Sequence, residues 1–323
     1  MEKFYLGTYT KRESKGIYSV ELDTVNKKLL NLKLEQEATN PTYLSTAGTN
    51  IYSVSGKGDL GGLSVFSADT RLDLHTEKSV PCHISYNKEK NIILTSNYHI
   101  GTLGVYTTSD NEIKILDKVE HNLENDEVKS HLHYADWSLD KQFIFACDLG
   151  KDALHTYRLV DNKLELVSSY KSAQNAGPRH IVQHPTLDVV YLICELDASV
   201  EVLSLKDGSF ELVEKINLLE NQEDKKWAAA VKLSNNAKYL YASNRGKNVL
   251  VAYSVLEDGK LEKIASYDTQ GSVPRDFAIS SNDRFIIVGH QESDNLTLFE
   301  VKENGKLELL EKDFYAPEVV CVK

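Results

Sequence analysis

At 323 residues, with 41% hydrophobic and 26% charged residues and a mean hydropathy of −0.36, the chain has the composition of a soluble globular protein,. No apolar run approaches the roughly 20 residues of a bilayer-spanning helix. The formal net charge of −11 argues against nucleic acid or an anionic membrane as partner, since both demand a basic footprint,. The opening Met1-Glu2-Lys3-Phe4-Tyr5-Leu6-Gly7 goes straight into strand-like sequence without the charged head and apolar core of a signal peptide, so a cytoplasmic location is expected,.

Taken in order, residues 4–9, 16–22 and 29–34 read as three short strands,. Most of the remaining sequence alternates polar and apolar residues with period two, and no long helical period occurs,. The pattern restarts at Asn40-Pro41-Thr42-Tyr43 and again at Pro81, Ser130, Pro178, Ala228, Pro274 and Pro317. The six intervals from Pro41 to Pro317 average about 46 residues, a period that signals propeller blades,. Within each unit the first hairpin turn uses 87–90, Leu139-Asp140-Lys141, 234–237 or Asn282-Asp283-Arg284. The last uses Asp161-Asn162-Lys163-Leu164, Asp207-Gly208, Asp258-Gly259-Lys260-Leu261 or Asn304-Gly305-Lys306-Leu307. Asx and glycine supply the positive φ angles that tight hairpins need.

Four strands per unit and seven units predict an all-β fold, a seven-bladed β-propeller of four-stranded antiparallel blades in one domain, 1–323. The last restart is one strand long and the N-terminus lacks a matching first strand. The tail, 318–323, is therefore expected to pair into the N-terminal blade and close the ring. Two polar, mostly acidic insertions, 119–129 and 218–226, read as solvated loops or as a rim over a binding site,. Cys82, Cys147, Cys194 and Cys321 are far apart with no Cys-x-x-Cys spacing, and are expected to be buried free thiols,.

In a four-stranded meander the connection entering the first strand and the one after the second strand lie at the same end of the blade. The residues there should ring one mouth of the channel: His83, Asn97, His131, His133, Asp148, Arg179, His180, Glu195, Asn244, Arg245, Arg275, Asp276, His290 and Gln291. Several have structural alternatives. Arg245 can occupy a turn, Glu195 can pair with a neighbouring arginine, and Asp148 can form a turn. His131 and His133 lie two apart on one side of a strand, where one of them is expected to be structural. His184 and His290 are expected to be packing or capping groups.

Ser130-His131-Leu132-His133, Gly177-Pro178-Arg179-His180, Glu195-Leu196, Tyr241-Ala242-Ser243-Asn244-Arg245-Gly246 and Pro274-Arg275-Asp276-Phe277 resemble, in order and over essentially the whole chain, the propeller-type lactonase family. That family includes bacterial 6-phosphogluconolactonases and a fungal muconate-lactonizing enzyme. Its proposed site combines a histidine, two arginines and a glutamate at the channel mouth, and His131, Arg179, Glu195 and Arg245 match. The Gly-x-x-Pro-Arg pattern is met from Gly271, while Pro81-Cys82-His83 carries a cysteine where other residues are common. The resemblance implies hydrolysis of a sugar δ-lactone, foremost 6-phosphogluconolactone, and a place in the pentose phosphate pathway.

Such chemistry needs an activated water, a stabilised oxyanion and a grip on an anion. A histidine can accept a proton at neutral pH, which makes His131 the candidate base. Arg179 and Arg245 suit a phosphate, a carboxylate or an oxyanion. Glu195 orients an arginine or serves as the alternative base. His83, Asn97, His133, His180, Arg275 and Gln291 are the candidate substrate-binding residues. No Gly-x-Ser-x-Gly elbow and no glycine-rich phosphate loop occurs,. No cofactor or metal is expected. A calcium site of Asn97, Asp148, Glu195 and Asn244 is the competing enzyme reading, against which the arginines argue. An inert interaction platform is the non-enzymatic one. The expected partner is a small anionic lactone, with the protein a monomer or weak homo-oligomer.

Overall fold

Short apolar runs punctuated by Asx and glycine fold as strands and hairpins from end to end. The structure, a computed structural model, describes every residue except Leu123 and Gln222. Among the described residues 28 strands form seven four-stranded sheets and no helix occurs, in keeping with the expected all-β, seven-bladed propeller class. No helix is therefore long and apolar enough to cross a membrane. The chain divides into two compact units, one of Met1–Glu37, His180–Ser204 and Leu212–Lys323, the other of Ala38–Arg179 and Leu205–Glu211.

Six sheets are built from consecutive strands, the first of which begin at Leu44, His83, Leu132, Pro178, Ala228 and Pro274, within three residues of the predicted restarts. The seventh is composite. Val319–Val322 lies at its end beside Glu2–Thr8, with Leu6 opposite Val322 and Gly7 opposite Cys321. The two ends of the chain thus share one sheet, as the unmatched N-terminal strand predicted.

The period-two pattern needs correction strand by strand. Second strands such as Val189–Cys194, Tyr239–Asn244 and Phe285–His290 are buried almost throughout. Sheets pack against both of their faces, and a strand covered on both sides reads as a continuous apolar run. Tyr191 and Ile193 share a cluster with Leu240 and Ala242, whereas Tyr241 points the other way, onto Ile286 and Val288. Only outermost strands such as Lys163–Lys171 and Ser209–Asn217 alternate. The insertions also differ from expectation. Residues 119–120 complete the strand Glu112–Glu120, and Leu218 and Leu219 are buried in the core. Leu123 and Gln222, inside the two insertions, lie outside the described residues. All four cysteines are free, but Cys82 is only half-buried.

The repeat is written in side-chain chemistry at its first hairpin. Ser138, Ser234 and Ser280 each donate Oγ–H to an Asx two residues on (Asp140, Asn236, Asn282) and accept the N–H of the aromatic residue five on (Phe143, Tyr239, Phe285). Each turn ends with a positive φ at Lys141, Ala237 or Asp283, the conformation Asx-type turns present. His184 takes the serine's place in its own sheet, its Nδ1 accepting the N–H groups of Thr186 and Leu187. It is a capping group. Tyrosines of the second strands reach across to the neighbouring turns: Tyr191 donates to the Gly259 carbonyl and Tyr241 to the Gly305 carbonyl, which satisfies buried hydroxyls while their rings fill the core.

His290 is fully buried and donates Nδ1–H to the Asn295 carbonyl at 3.0 Å. Gly271 packs against its ring so closely that a Cβ there would lie 2.5 Å from the imidazole. Burial lowers the His290 pKa from 6.5 to about 4, outweighing the Asn295 hydrogen bond. A base whose folded pKa is depressed binds fewer protons folded than unfolded, so stability falls as pH drops from about 6.5 towards 4, by about 3 kcal/mol across that window,. His290→Asn keeps a donor to Asn295 without the titrating ring. Urea unfolding at pH 7 and pH 4.5 should show the wild type losing more stability than this variant, and parallel losses would refute the assignment.

Candidate active site

Two constellations assemble from the predicted residues, one in each compact unit. In the first, Glu195 follows the strand Val189–Cys194, Arg245 follows Tyr239–Asn244, and Trp227 precedes Ala228–Leu233. Arg245 Nη2 meets Glu195 Oε2 at 2.6 Å and also donates to the Ala228 carbonyl at 3.1 Å. Trp227 donates Nε1–H to Glu195 Oε1 at 3.1 Å, and its ring lies 4.4 Å from the Arg245 guanidinium. Backbone bonds lock the set: Arg245 N–H to Trp227 O, and Ala228 N–H to Glu195 O. Gly246 is a glycine because a Cβ there would sit 2.0 Å from the Lys225 carbonyl oxygen. The result is a nearly buried cation whose plane is fixed by a carboxylate, a carbonyl and an indole face. Charge-assisted and cation–π contacts of this kind are strongest where water is excluded. Glu195 is engaged by both donors, which suits it to orienting Arg245.

The second constellation surrounds His131, which precedes Leu132–Trp137. Its half-buried ring stacks on Tyr98 at 4.4 Å, and Nδ1 lies 2.8 Å from the Tyr98 carbonyl oxygen. A carbonyl only accepts, so Nδ1 carries the hydrogen and Nε2 carries the lone pair. Nε2 has no hydrogen-bond partner among the described residues. The His131 backbone N–H is held by Asp148 Oδ1 at 2.9 Å, and the same oxygen accepts the Lys151 N–H at 3.0 Å. Asp148 is therefore the turn-former foreseen as one of its two readings. Its burial favours the neutral acid, but the neighbouring His121 and His155 rings and the hydrogen bond from the His131 backbone hold its carboxyl well below the usual range. Gly150 closes the turn because a Cβ would lie 2.7 Å from His131 Cδ2. His133 is buried, edge-on to the same tyrosine at 5.9 Å.

Arg179 belongs to this second unit and has one of the largest fully buried side chains in the protein. Asp152 fixes the turn before it by accepting the N–H groups of Asn175 and Gly177. The Cys147 thiol is pushed up by burial and by Asp148, with Arg179 pulling it back, so the guanidinium lies within electrostatic reach of that sulfur.

Of the other candidates, His83 is buried between Tyr43 and Tyr134, ring centroids 4.3 and 4.5 Å away, and accepts the Ala135 N–H. Asn97 is fully buried; its Nδ2 donates to Glu77 and the Ser79 carbonyl, and its Oδ1 accepts from Ser79 and His99. That geometry serves the turn. His180 is buried and Asn244 accepts the Lys247 N–H. Arg275 lies 6.0 Å above the Tyr9 ring, and Gln291 bonds to Glu292 and Val273. Sequence reasoning passed over Trp227, although it opens the motif Trp227-Ala228-Ala229-Ala230. It also missed Tyr98 and the buried acid Glu77, to which Thr102 and Tyr106 also donate. Their contacts are long-range, so neither period nor spacing marks them.

The sequence profile described as Lactonase, 7-bladed beta-propeller matches residues 3–323. The chain is 33% identical to the 6-phosphogluconolactonase of Bacillus subtilis over 341 residues, covering 99% of this chain and 97% of that protein. Among solved structures it is similar to a Lactobacillus plantarum protein at TM-score 0.93 and 33% identity, covering 100% of this chain and 98% of that one. It is also similar to a putative 6-phosphogluconolactonase from Bacteroides fragilis at TM-score 0.88 and 26% identity, covering 99% and 97%. The profile match and these relatives make the protein a lactone-hydrolysing enzyme built on seven four-stranded sheets. The chain belongs to the lactonase, 7-bladed beta-propeller family.

Proposed function

We propose that this enzyme hydrolyses 6-phosphogluconolactone to 6-phosphogluconate, with His131 as general base. The observation that carries the reading is the His131 geometry: Nδ1–H anchored on a carbonyl, the ring stacked on Tyr98, and Nε2 left with its lone pair. Nε2 takes a proton from the attacking water as its oxygen bonds to the lactone carbonyl carbon. The Tyr98 carbonyl stabilises the imidazolium through Nδ1–H, and the imidazolium then protonates the departing ring oxygen. For the arginines the support is chemical. A planar guanidinium such as that of Arg179 or of Arg245, the latter held in orientation by Glu195, suits a developing oxyanion or a phosphoryl group,. The Bacillus subtilis relative, matched over nearly both full lengths, supports the phosphorylated sugar lactone as substrate.

The test is hydrolysis of freshly generated 6-phosphogluconolactone, with unphosphorylated gluconolactone as comparator. The wild type should far exceed buffer hydrolysis and prefer the phosphorylated lactone. His131→Gln should lower kcat/KM by about 10²–10⁴ with the fold retained. Hydrolysis no faster than buffer would remove the substrate; full activity of His131→Gln would remove the base and leave the substrate standing.

A further inference from the structure

Behind His131, three side chains that the lactonase reading does not use face one another. His121 Nδ1 lies 3.5 Å and His155 Nε2 3.9 Å from Asp148 Oδ2, and the three atoms all fall within 4.8 Å of one another. They are well shielded, with side-chain exposures of 7%, 12% and 0% for His121, His155 and Asp148. The far nitrogens are both engaged: His121 Nε2 with the Tyr157 hydroxyl at 2.6 Å and His155 Nδ1 with Ser169 Oγ at 2.8 Å. The inward atoms are not. Asp148 Oδ2 and His155 Nε2 are buried without a hydrogen-bond partner among the described residues.

The spacing decides between two readings. Hydrogen bonds to a carboxylate run at about 2.7–3.2 Å, so the imidazoles stand back from Asp148. Ligand bonds to zinc are about 2.0–2.2 Å, which puts two donors of a tetrahedral ion about 3.3–3.5 Å apart. The observed gaps to Asp148 Oδ2 begin there, at 3.5 Å for His121 and 3.9 Å for His155. Two imidazoles and a carboxylate are a borderline donor set that suits zinc and its first-row neighbours. Both outer nitrogens are anchored by hydroxyls, and a hydrogen bond at the outer nitrogen is what orients a metal-bound histidine,. The nearby ammonium groups are turned away, Lys151 to Asp126 and the His121 carbonyl, Lys171 to the Lys151 carbonyl.

We propose that His121, Asp148 and His155 bind a first-row divalent cation, zinc in the first instance, with the fourth position left to water. Asp148 connects this site to the proposed base. One carboxylate oxygen faces the cation, and the other holds the backbone N–H groups of His131 and Lys151. Occupancy fixes the turn from which the His131 ring projects, without the cation touching substrate.

The test uses the chelator-treated full chain and zinc chloride. Calorimetry and metal analysis after dialysis should show one zinc per chain. Cobalt(II) should give the visible bands of a four-coordinate site. Long-range ¹H–¹⁵N spectra should show the His121 and His155 ring resonances moving on zinc addition. His121→Gln and His155→Gln should each weaken binding by roughly ten-fold or more. Asp148 is unsuitable as a probe because it also holds backbone. The spectra need only the native protein, so they decide the matter even if the variants fold poorly. Absence of binding up to millimolar zinc, or binding that moves only other histidines such as the exposed His99, overturns the site.

Discussion

Replacing Arg245 with alanine is expected to lower kcat/KM for the lactone by about 10²–10³ and to destabilise the protein by about 3–5 kcal/mol. Both effects come from the same arrangement. Glu195 is almost buried and pairs with Arg245 at 2.6 Å. Without the guanidinium it loses that ion pair and keeps the Trp227 Nε1–H bond. Removing one partner of a buried ion pair is among the most damaging things a substitution can do. Trp227 loses the cation over its face at the same time. Arg245→Lys separates the two effects. It keeps a positive charge for Glu195 but not the planar fork that reaches both Glu195 and the Ala228 carbonyl,. That variant should retain most of the stability and lose most of the activity. Urea unfolding and initial rates on both variants check this, and an active Arg245→Lys would confine Arg245 to a structural role.

Deleting residues 319–323 is expected to unfold the unit that contains both termini. Val319, Val320, Cys321 and Val322 are all essentially buried, three of them completely. At about 1.5–3 kcal/mol per side chain their loss removes roughly 6–12 kcal/mol, comparable with the whole stability of a typical domain. The backbone loss adds to this. Lys323 exchanges two hydrogen bonds with Tyr5, and the Val322 N–H is held by Asp276. The deletion would also leave Glu2–Thr8 as an open sheet edge, a template for aggregation. Loss of a cooperative thermal transition, with aggregation on size exclusion, is the expected readout. A monomeric, cooperatively folding truncation would show that the terminal strand does not hold that unit together.

The fold was legible because its signals are local and repeated. The turns Asp161-Asn162 and Asp207-Gly208 announce themselves by residue type and take the positive φ angles expected of them. The restarts at Pro178, Ala228 and Pro274 fall on strand starts. The strand Val189–Cys194 is bounded as its apolar run suggests. Of the site, the pairing of Glu195 with a neighbouring arginine was foreseen as one of two readings, and the structure makes that arginine Arg245. Trp227, Tyr98, His121 and His155 were not, since each acquires its role from a residue 18 or more positions away or from another sheet. His155 lies mid-strand with nothing around it in sequence to distinguish it from a packing residue.

The sequence by itself determined the number of strands, where most of the turns fall, and the charged and imidazole groups gathered at the strand ends, because turn chemistry and hydrophobic period act over a few residues. Only the tertiary structure decided what those groups do. It gave Glu195 to Arg245, turned the Nδ1–H of His131 onto a carbonyl 33 residues away, and set Asp148 between a turn and two histidines. Distance and burial fix which lone pair is left open and which charge is compensated, and neither is written in the order of residues.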